Sequence, residues 1–197
     1  MEYGIVLPKG RRAFCQALVG KLDSEQDKLT PLNQDLFHRL FDELLKVEKE
    51  VGYYDKKLES IAVSHPERQR LLSIPGIGPI TATALIAAVS DVAEFESGRQ
   101  FPAWLGLVPR QHSTGGQTRL LGISKRGDRH LRKLLIHGAR ATLQWVGMKT
   151  DRRSQWMRRL LERRGWNRTA VAVANKNARI VWALLSRGGV YEPENAS

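Results

Sequence analysis

Residues 71–88 read LLSIPGIGPITATALIAA, in which two apolar segments with helical spacing flank Pro75-Gly76-Ile77-Gly78. So short a connection allows only a tight turn, and Gly76 and Gly78 are the residue type that accepts a positive φ there. Pro79 is typical of a first helical residue, because its missing N–H would have no intrahelical partner. The stretch therefore predicts two short helices, 67–74 and 79–89, that meet at a sharp corner.

Alternating glycines in front of a helix can direct backbone N–H groups outward as an anion-binding nest. Two short helices joined in this way resemble a helix-hairpin-helix, a module that holds nucleic-acid phosphates without reading the base sequence. In that interpretation Gly76 and Gly78 contact DNA. An ordinary helix–helix corner with glycine as the C-cap explains the same residues, so the rest of the chain has to provide the context.

Basic residues are concentrated in one part of the chain. The sequence has 197 residues and a formal charge of +12. Residues 1–100 hold 13 Lys and Arg against 15 Asp and Glu, whereas residues 101–187 hold 19 against three, a net charge of +16. All five tryptophans also lie in 101–187. This asymmetry is typical of a polyanion-binding part joined to a near-neutral scaffold, and it favours nucleic acid as the partner.

Composition also excludes some classes of protein. The single cysteine, Cys15, excludes an internal disulfide framework and favours a reducing compartment. No apolar run approaches the length of a membrane span, and the N-terminus lacks the layout of a signal peptide. We therefore expect a cytoplasmic protein with no membrane partner.

Residues 31–64 carry the clearest periodicity, with apolar residues at alternating steps of three and four: Phe37, Leu40, Leu44, Val47, Val51, Tyr54, Leu58 and Ile61. This is an unbroken heptad seam with charged residues on the outward positions. So narrow an apolar stripe needs a partner helix, in this chain or in another copy. The sequence predicts a coiled-coil arm used for self-association, ending at His65-Pro66 because a residue before proline avoids the helical region.

Residues 106–127 predict a loop or a loose hairpin, since Gly, Ser and Thr crowd their middle. Four basic residues bracket this segment: Arg110, Arg119, Lys125 and Arg126. The hydroxyls of Ser113 and Thr114 and the N–H groups of Gly115-Gly116 suit a phosphate held by these cations. From chemistry alone a hydroxyl there is a passive phosphate ligand far more often than a nucleophile, and His112 alone is too weak a signal to be named the base.

A helix follows Asp128, which is a good N-cap residue. Its apolar residues share one side, and its other side is basic, with Arg129, Arg132 and Lys133. Such a helix is suited to lie along a phosphate backbone.

Several stretches in this order resemble one known domain: Ser73-Ile-Pro-Gly-Ile-Gly-Pro, Gly98-Arg-Gln-Phe, Trp104-Leu-Gly-Leu-Val-Pro-Arg-Gln, Ser113-Thr-Gly-Gly and Ile123-Ser-Lys-Arg-Gly-Asp-Arg-His-Leu-Arg-Lys-Leu-Leu. They are similar to the C-terminal domain of the DEDD-type bacterial insertion-sequence transposases, which recombine DNA under the guidance of an element-encoded RNA. The likeness runs from about residue 66 to residue 191, and the heptad helix looks like the family's coiled-coil linker.

The resemblance implies a catalytic serine, followed by glycine, that attacks DNA and holds it covalently. Ser113 is our choice for this residue, and Thr114 is the alternative if the register differs by one. Family members begin with a resolvase-like domain whose four acidic residues bind Mg²⁺. This chain starts at the linker, so we expect no metal site or cofactor in it, and Mg²⁺ only with that further domain.

These observations predict a mainly α fold. A coiled-coil arm (1–64) precedes an all-helical basic domain with a helix-hairpin-helix and a Gly/Ser loop (65–191), followed by a disordered tail (192–197). The expected function is the DNA-binding part of a transposase, inactive alone, with double-stranded DNA, a guide RNA and further copies of the chain as partners. Two alternatives stay open: a freestanding helix-hairpin-helix DNA-binding protein without chemistry, and a basic RNA-binding protein.

Overall fold

The computed structural model describes residues 4–89, 91–114 and 117–192, and this part of the chain is mainly helical, as predicted. It contains eight α-helices and one antiparallel pair of strands: α1 (Arg11–Ser24), α2 (Pro31–Ser64), α3 (Pro66–Leu72), α4 (Pro79–Ala88), α5 (Gln100–Trp104), β1 (Pro109–Thr114), β2 (Gln117–Ile123), α6 (Arg129–Gln144), α7 (Arg152–Arg164) and α8 (Trp166–Arg187). None of these helices has the length and hydropathy of a membrane-spanning segment.

The chain divides into two compact units, residues 1–54 and 55–197. In the first unit a small core of Leu18, Leu22 and Leu29 packs with Phe14 of α1 and Phe41 of α2. Helix α2 continues without a break to Ser64 and ends in front of Pro66, where the sequence predicts its end. The 34 residues of α2 bury a single residue completely, Ala62.

The core of the second unit is built around α8, which contacts α3, α5, α6 and α7. Fully buried side chains come from each of these elements or their ends, among them Leu71, Phe101, Leu135, Met157 and Val181. In α6 and α8 the buried apolar residues recur at steps of three and four, which gives each of these helices one apolar stripe, and the stripes meet in a common core.

The turn between α3 and α4 packs directly on α6. Gly76 has φ +92°, and a Cβ there would lie 2.7 Å from the carbonyl oxygen of Gly138 and from Oγ1 of Thr142. A Cβ on Gly138 would in turn overlap the carbonyl oxygen of Gly76. Two glycines therefore let the turn and the helix approach at backbone contact, which no other residue pair would permit.

Residues 109–123 form a regular hairpin within the segment for which the sequence predicts a loop or loose hairpin. Strands β1 and β2 pair in an antiparallel ladder in which Gln111, His112, Ser113 and Thr114 face Leu120, Arg119, Thr118 and Gln117, respectively. The register shifts between Pro109 and Gln111. The residues between 109 and 122 whose burial is described are all exposed, so the hairpin projects from the core.

Candidate nucleic-acid interface

Six of the seven basic residues that the sequence nominates for DNA binding are exposed: Arg110, Arg119, Lys125, Arg126, Arg129 and Lys133. They lie on the hairpin, on residues 124–127, which we call the basic loop, and on the first two turns of α6. The hairpin, the basic loop and the start of α6 follow one another in the chain, and all six of these cations face solvent. Guanidinium and ammonium groups of this kind are the usual ligands of DNA phosphates.

The basic loop is held in a defined conformation by hydrogen bonds between backbone groups. The Ser124 N–H donates to the carbonyl of Val108 (2.8 Å), and the Lys125 N–H donates to the carbonyl of Gly106 (3.2 Å). Lys125 itself has φ +57°, an uncommon value for a residue with a side chain. The close crossing also needs Gly127, where a Cβ would overlap the carbonyl oxygen of Trp104. The loop therefore presents Lys125 and Arg126 from a fixed backbone.

Arg132 is the exception among the nominated residues. Its side chain is buried, and its Nη1 donates to the backbone carbonyls of Leu105 (3.1 Å) and Arg126 (3.2 Å). The expectation that Arg132 contacts DNA is therefore corrected: this guanidinium ties α6 to the basic loop and is not presented to a phosphate. The sequence pattern misses this because Arg132 follows Leu131 on a helix whose inner face is wide enough to take in both residues.

Two of the three acidic residues of 101–187 cap helices. Asp128 accepts a hydrogen bond from the Leu131 N–H (2.8 Å) at the start of α6, as the sequence predicts. Asp151 accepts from the N–H (2.9 Å) and the hydroxyl (2.6 Å) of Ser154 at the start of α7. The hydroxyl hydrogen bond holds the pKa of Asp151 below its ordinary value, with the backbone N–H groups assisting and desolvation opposing. Both carboxylates thus act at helix starts, and Glu162 is the third and last acid of 101–187.

Ser113, the nominated nucleophile, lies on β1 opposite Thr118, and its side chain is exposed. Its Oγ accepts a hydrogen bond from Nε2 of Gln111 (2.7 Å), two residues away on the same face of the strand. His112 and its cross-strand neighbour Arg119 project from the other face, because side chains alternate along a strand. Within the hairpin, His112 therefore does not reach Ser113 as a base. The side chain of Thr114 and residues 115–116 lie outside the described part of the chain.

The two glycines of the α3–α4 turn differ in conformation. Gly76 has the positive φ that the sequence predicts, whereas Gly78 has φ −97° and ψ 176°, so the prediction of a positive φ at Gly78 is wrong. Gly78 is instead the extended N-cap of α4, and Pro79 stands at the first helical position as expected. The Ile77 N–H donates to the carbonyl of Ile74 (3.0 Å) and is not an outward-facing anion ligand. Contact between Gly76 or Gly78 and DNA stays a prediction.

A buried arginine that sequence reasoning missed joins three parts of the second unit. Arg153 of α7 is buried and donates to Oδ1 of Asn177 and to the hydroxyl of Tyr191 (2.8 Å). Nδ2 of Asn177 donates in turn to the carbonyl of Pro75 (3.1 Å), in the turn before α4. The available signal was helical spacing: Arg153 and Met157 share the inner face of the helix that Asp151 caps.

Residues suited to hold Mg²⁺ do not come together in the part of the chain that the structure describes. Across residues 4–89, 91–114 and 117–192 there is no group of three or more His, Cys, Asp or Glu side chains in a position to share a metal ion.

Comparison with known proteins finds relatives of the chain among transposases. Residues 68–161, which include α4–α6, the hairpin and most of α7, match the profile of the transposase IS116/IS110/IS902 family. The chain is 48% identical over 190 residues to the transposase for insertion sequence element IS1111A of Coxiella burnetii, covering 96% of this chain and 52% of the relative. It is 48% identical over 193 residues to a probable family 20 transposase of Pseudomonas aeruginosa (98% and 57%). It is also 38% identical over 193 residues to the transposase for insertion sequence element IS1328 of Yersinia enterocolitica (97% and 56%).

The chain thus spans about half the length of these curated relatives. Nearly all of the chain is matched, including the heptad helix and the second unit (residues 55–197), which we call the basic unit. Residues 68–161 therefore carry the domain of the transposase IS116/IS110/IS902 family, and the chain around them is similar to the corresponding part of these insertion-sequence transposases.

Proposed function

We propose that this chain provides the DNA-binding surface of an insertion-sequence transposase. The hairpin, the basic loop and the first turns of α6 lie along the phosphate backbone of double-stranded DNA. The relatives described above are named as transposases, and transposition requires a protein that holds DNA.

The observation that carries the proposal is the run of six exposed cations beside acids that cap helices. Asp128 accepts its hydrogen bond from the backbone N–H of Leu131, so it caps α6 while Arg129 and Lys133 stay exposed. A solvent-exposed surface of one sign attracts a polyanion and releases its counterions on binding. The hydrogen-bonded backbone of the basic loop also fixes the positions of Lys125 and Arg126 before DNA binds.

Ser113 is the proposed nucleophile in this function. Its Oγ would attack phosphorus and form a serine–DNA phosphodiester, while the bond from phosphorus to the leaving deoxyribose oxygen breaks and that oxygen takes up a proton. Gln111 holds Oγ through a hydrogen bond in which Oγ is the acceptor, so the hydroxyl proton is free to leave toward a base. The hairpin residues whose side chains are described do not include such a base on the Ser113 face. We therefore propose that the base and the metal-binding carboxylates come from outside residues 4–89, 91–114 and 117–192.

Two further partners follow from the family resemblance. A guide RNA would be held through its phosphates by cations of the same kind. A second copy of the chain would cover the heptad seam of α2, on which Leu40, Val47, Val51 and Tyr54 are exposed. A coiled-coil seam in water is stable only when paired.

The DNA-binding surface is tested by the salt dependence of binding to a short duplex, measured by fluorescence anisotropy. Six phosphate contacts predict a loss of affinity of about a thousandfold between about 50 and 200 mM salt. Replacing Lys125 and Arg126 by Met should lower the slope of log affinity against log salt by about 2. Arg39→Gln, a charge change in the first unit where Arg39 pairs with Asp35, is the matched control and should leave the slope unchanged. A slope that is the same in both variants would contradict the proposed surface.

The nucleophile is tested separately in a transposase that contains this chain's residues within a complete active protein. Ser113→Ala should abolish the covalent protein–DNA adduct and leave duplex affinity within about twofold, since the hydroxyl makes no more than one contact of the bound state. Gln111→Ala is a companion variant that should weaken adduct formation without abolishing it. An adduct that persists in the double variant Ser113→Ala, Thr114→Ala would refute the assignment. Absence of an adduct in the unsubstituted protein would favour a DNA-binding module without chemistry.

A further inference from the structure

A groove with a volume of about 720 Å³ runs along α8 beside the root of the hairpin. Its floor is apolar, with Leu107, Pro109 and Ile123 on the hairpin side and Val171 and Ile180 on α8. Trp156 of α7 closes one wall. None of the six exposed cations of the proposed duplex-binding surface is among the described residues that line this groove.

The polar groups of the groove have one sign of charge. Arg168, Lys176 and Arg179 line it together with the amide of Asn175, and none of the described residues that line it is acidic. On α8 these residues share one helix face, because their spacing of three, four, eight and eleven positions returns to the same side of the helix. An apolar recess with convergent cations is complementary to a ligand that is flat and apolar at one end and anionic at the other.

Lys176 lines the groove, and no carboxylate of the described part of the chain forms an ion pair with it. Its Nζ lies 4.9 Å from the centre of the Trp156 ring. Burial lowers the pKa of this ammonium group, and the positive charges of Arg153, Arg152 and Arg179 lower it further. An incoming anion would relieve both effects, since it would replace lost hydration and offset the repulsion among the cations.

Asn175 adds a directed polar group beside the cations. Its Nδ2 donates to the backbone carbonyl of Leu107 (3.3 Å), which fixes the orientation of the amide. Its Oδ1 is the acceptor end of the same amide and is suited to a base edge that carries an N–H donor.

We propose that this groove binds one unpaired nucleotide, with the base on the apolar floor beside Trp156 and the phosphate at Lys176 and Arg179. The inference rests on the proposed function, in that it requires the chain to hold nucleic acid. It goes beyond that function because a fully stacked duplex presents phosphates but no free base face, so it leaves an apolar recess empty. The same chemistry is offered by an extrahelical base of DNA and by an unpaired base of RNA.

The test compares three DNA duplexes of one sequence by anisotropy at constant salt: fully paired, with one extra unpaired thymidine, and with an abasic nucleotide in its place. The abasic duplex keeps the additional phosphate and the bend but lacks the base. We expect the unpaired thymidine to bind about fivefold or more tightly than either of the other two, because burying one base against an aromatic wall has that magnitude. The same three designs in RNA show which nucleic acid gains more.

Two variants of the groove locate the effect. Lys176→Met removes the cation, and Ala172→Trp fills the recess, since Ala172 lines it. Both should bring the affinity ratio of thymidine-bulged to abasic duplex close to one, because Ala172→Trp excludes the base and because the phosphate reaches Lys176 only when the base is seated in the groove. Arg164→Met, an exposed change at the end of α7 outside the groove, removes the same charge as Lys176→Met and should lower both affinities while preserving the ratio. Circular dichroism and paired-duplex affinity check that each variant is folded.

The outcomes separate the two proposals. A chain that fails to bind the paired duplex even at low salt contradicts the proposed function. A chain that binds the paired duplex but shows no preference for the unpaired base, or keeps its preference in both groove variants, overturns the groove assignment. Loss of preference in the two groove variants together with its retention in Arg164→Met supports it.

Discussion

Helix α2 and the basic part of the chain each present an unsatisfied surface, but of opposite kinds. Along α2, large apolar residues such as Leu40 and Val51 are exposed, while acids and bases form ion pairs with each other, as Arg39 does with Asp35 (2.9 Å). In residues 101–187 the apolar residues are largely buried around α8, and the cations exceed the acids by 16. We expect the first surface to pair with another apolar surface and the second to bind a polyanion.

This difference indicates that the two regions recognise partners by different physics. Apolar pairing in the arm depends little on salt, whereas phosphate binding falls steeply as salt rises. The two associations are therefore separable by experiment, and the following predictions are ordered from the largest expected effect to the smallest.

The largest effect is expected in the arm. Replacing Val47 and Val51 by Asp places carboxylates on the exposed seam, and burying them against a partner helix would be unfavourable by several kcal/mol. Self-association should weaken by more than about a thousandfold, and sedimentation should then report the mass of a single chain. Replacing Lys49 and Lys56 by Asp, off the seam, should leave the mass unchanged. An unsubstituted chain that already sediments as a monomer would contradict the seam as an interface.

Two helical glycines offer a matched comparison of the regions. Gly138→Ala in α6 should destabilise the basic unit by about 3 kcal/mol, because the added Cβ overlaps the Gly76 carbonyl oxygen. Gly52→Ala in α2 has no atom within 4 Å and should stabilise the helix by about 0.5–1 kcal/mol. Urea unfolding followed by tryptophan fluorescence reports the basic unit alone, because all five tryptophans lie there. Circular dichroism reports the unfolding of both units. Equal changes in stability from the two substitutions would contradict the difference in packing around the two glycines.

Three arginines separate stability from binding within the basic unit. Arg132→Met and Arg153→Met should each cost about 2 kcal/mol of stability, because they leave buried partners without their donor. Arg129→Met, at an exposed position, should change stability by no more than about 0.5 kcal/mol and should reduce duplex affinity. The measurements are urea unfolding and anisotropy. A stability loss in Arg129→Met equal to that in Arg132→Met would contradict the division between buried and presented cations.

The smallest effect is a pH dependence at the start of α7. The folded-state pKa of Asp151 is lowered by its hydrogen bond from Ser154, so the carboxylate stabilises the fold above its ordinary pKa of 3.8. That contribution is lost as the pH falls through the lower, folded-state value. Asn caps helices about as well as Asp but does not titrate, so Asp151→Asn removes this dependence. From pH 6 to pH 2 the unsubstituted protein should therefore lose about 1 kcal/mol or less of unfolding free energy relative to Asp151→Asn. A difference that is constant with pH would contradict the assignment.

Much of the local structure follows from the sequence because local interactions decide it. Pro79 begins α4 where predicted, and α3 begins at Pro66, one residue before the predicted start. Asp128 caps α6 as predicted, and Asp151 caps α7 in the same way, each accepting a hydrogen bond from the N–H three positions on. The prediction for Gly78 is wrong because glycine suits both an extended N-cap and a turn residue with a positive φ. Arg132 was misplaced because a charged side chain that reaches buried carbonyls has no signature in a one-dimensional pattern.

The sequence by itself determined the approximate helix ends, the separation of charge and the heptad spacing of α2, because each depends on residues within a few positions of one another. Only the tertiary structure decided that Gly76 rests on Gly138, that Arg153 joins α7 to the turn before α4, and that Ser113 and His112 occupy opposite faces of the hairpin. These depend on register and on contacts between residues far apart in the chain, and side-chain type alone does not specify which distant backbone group a side chain will meet.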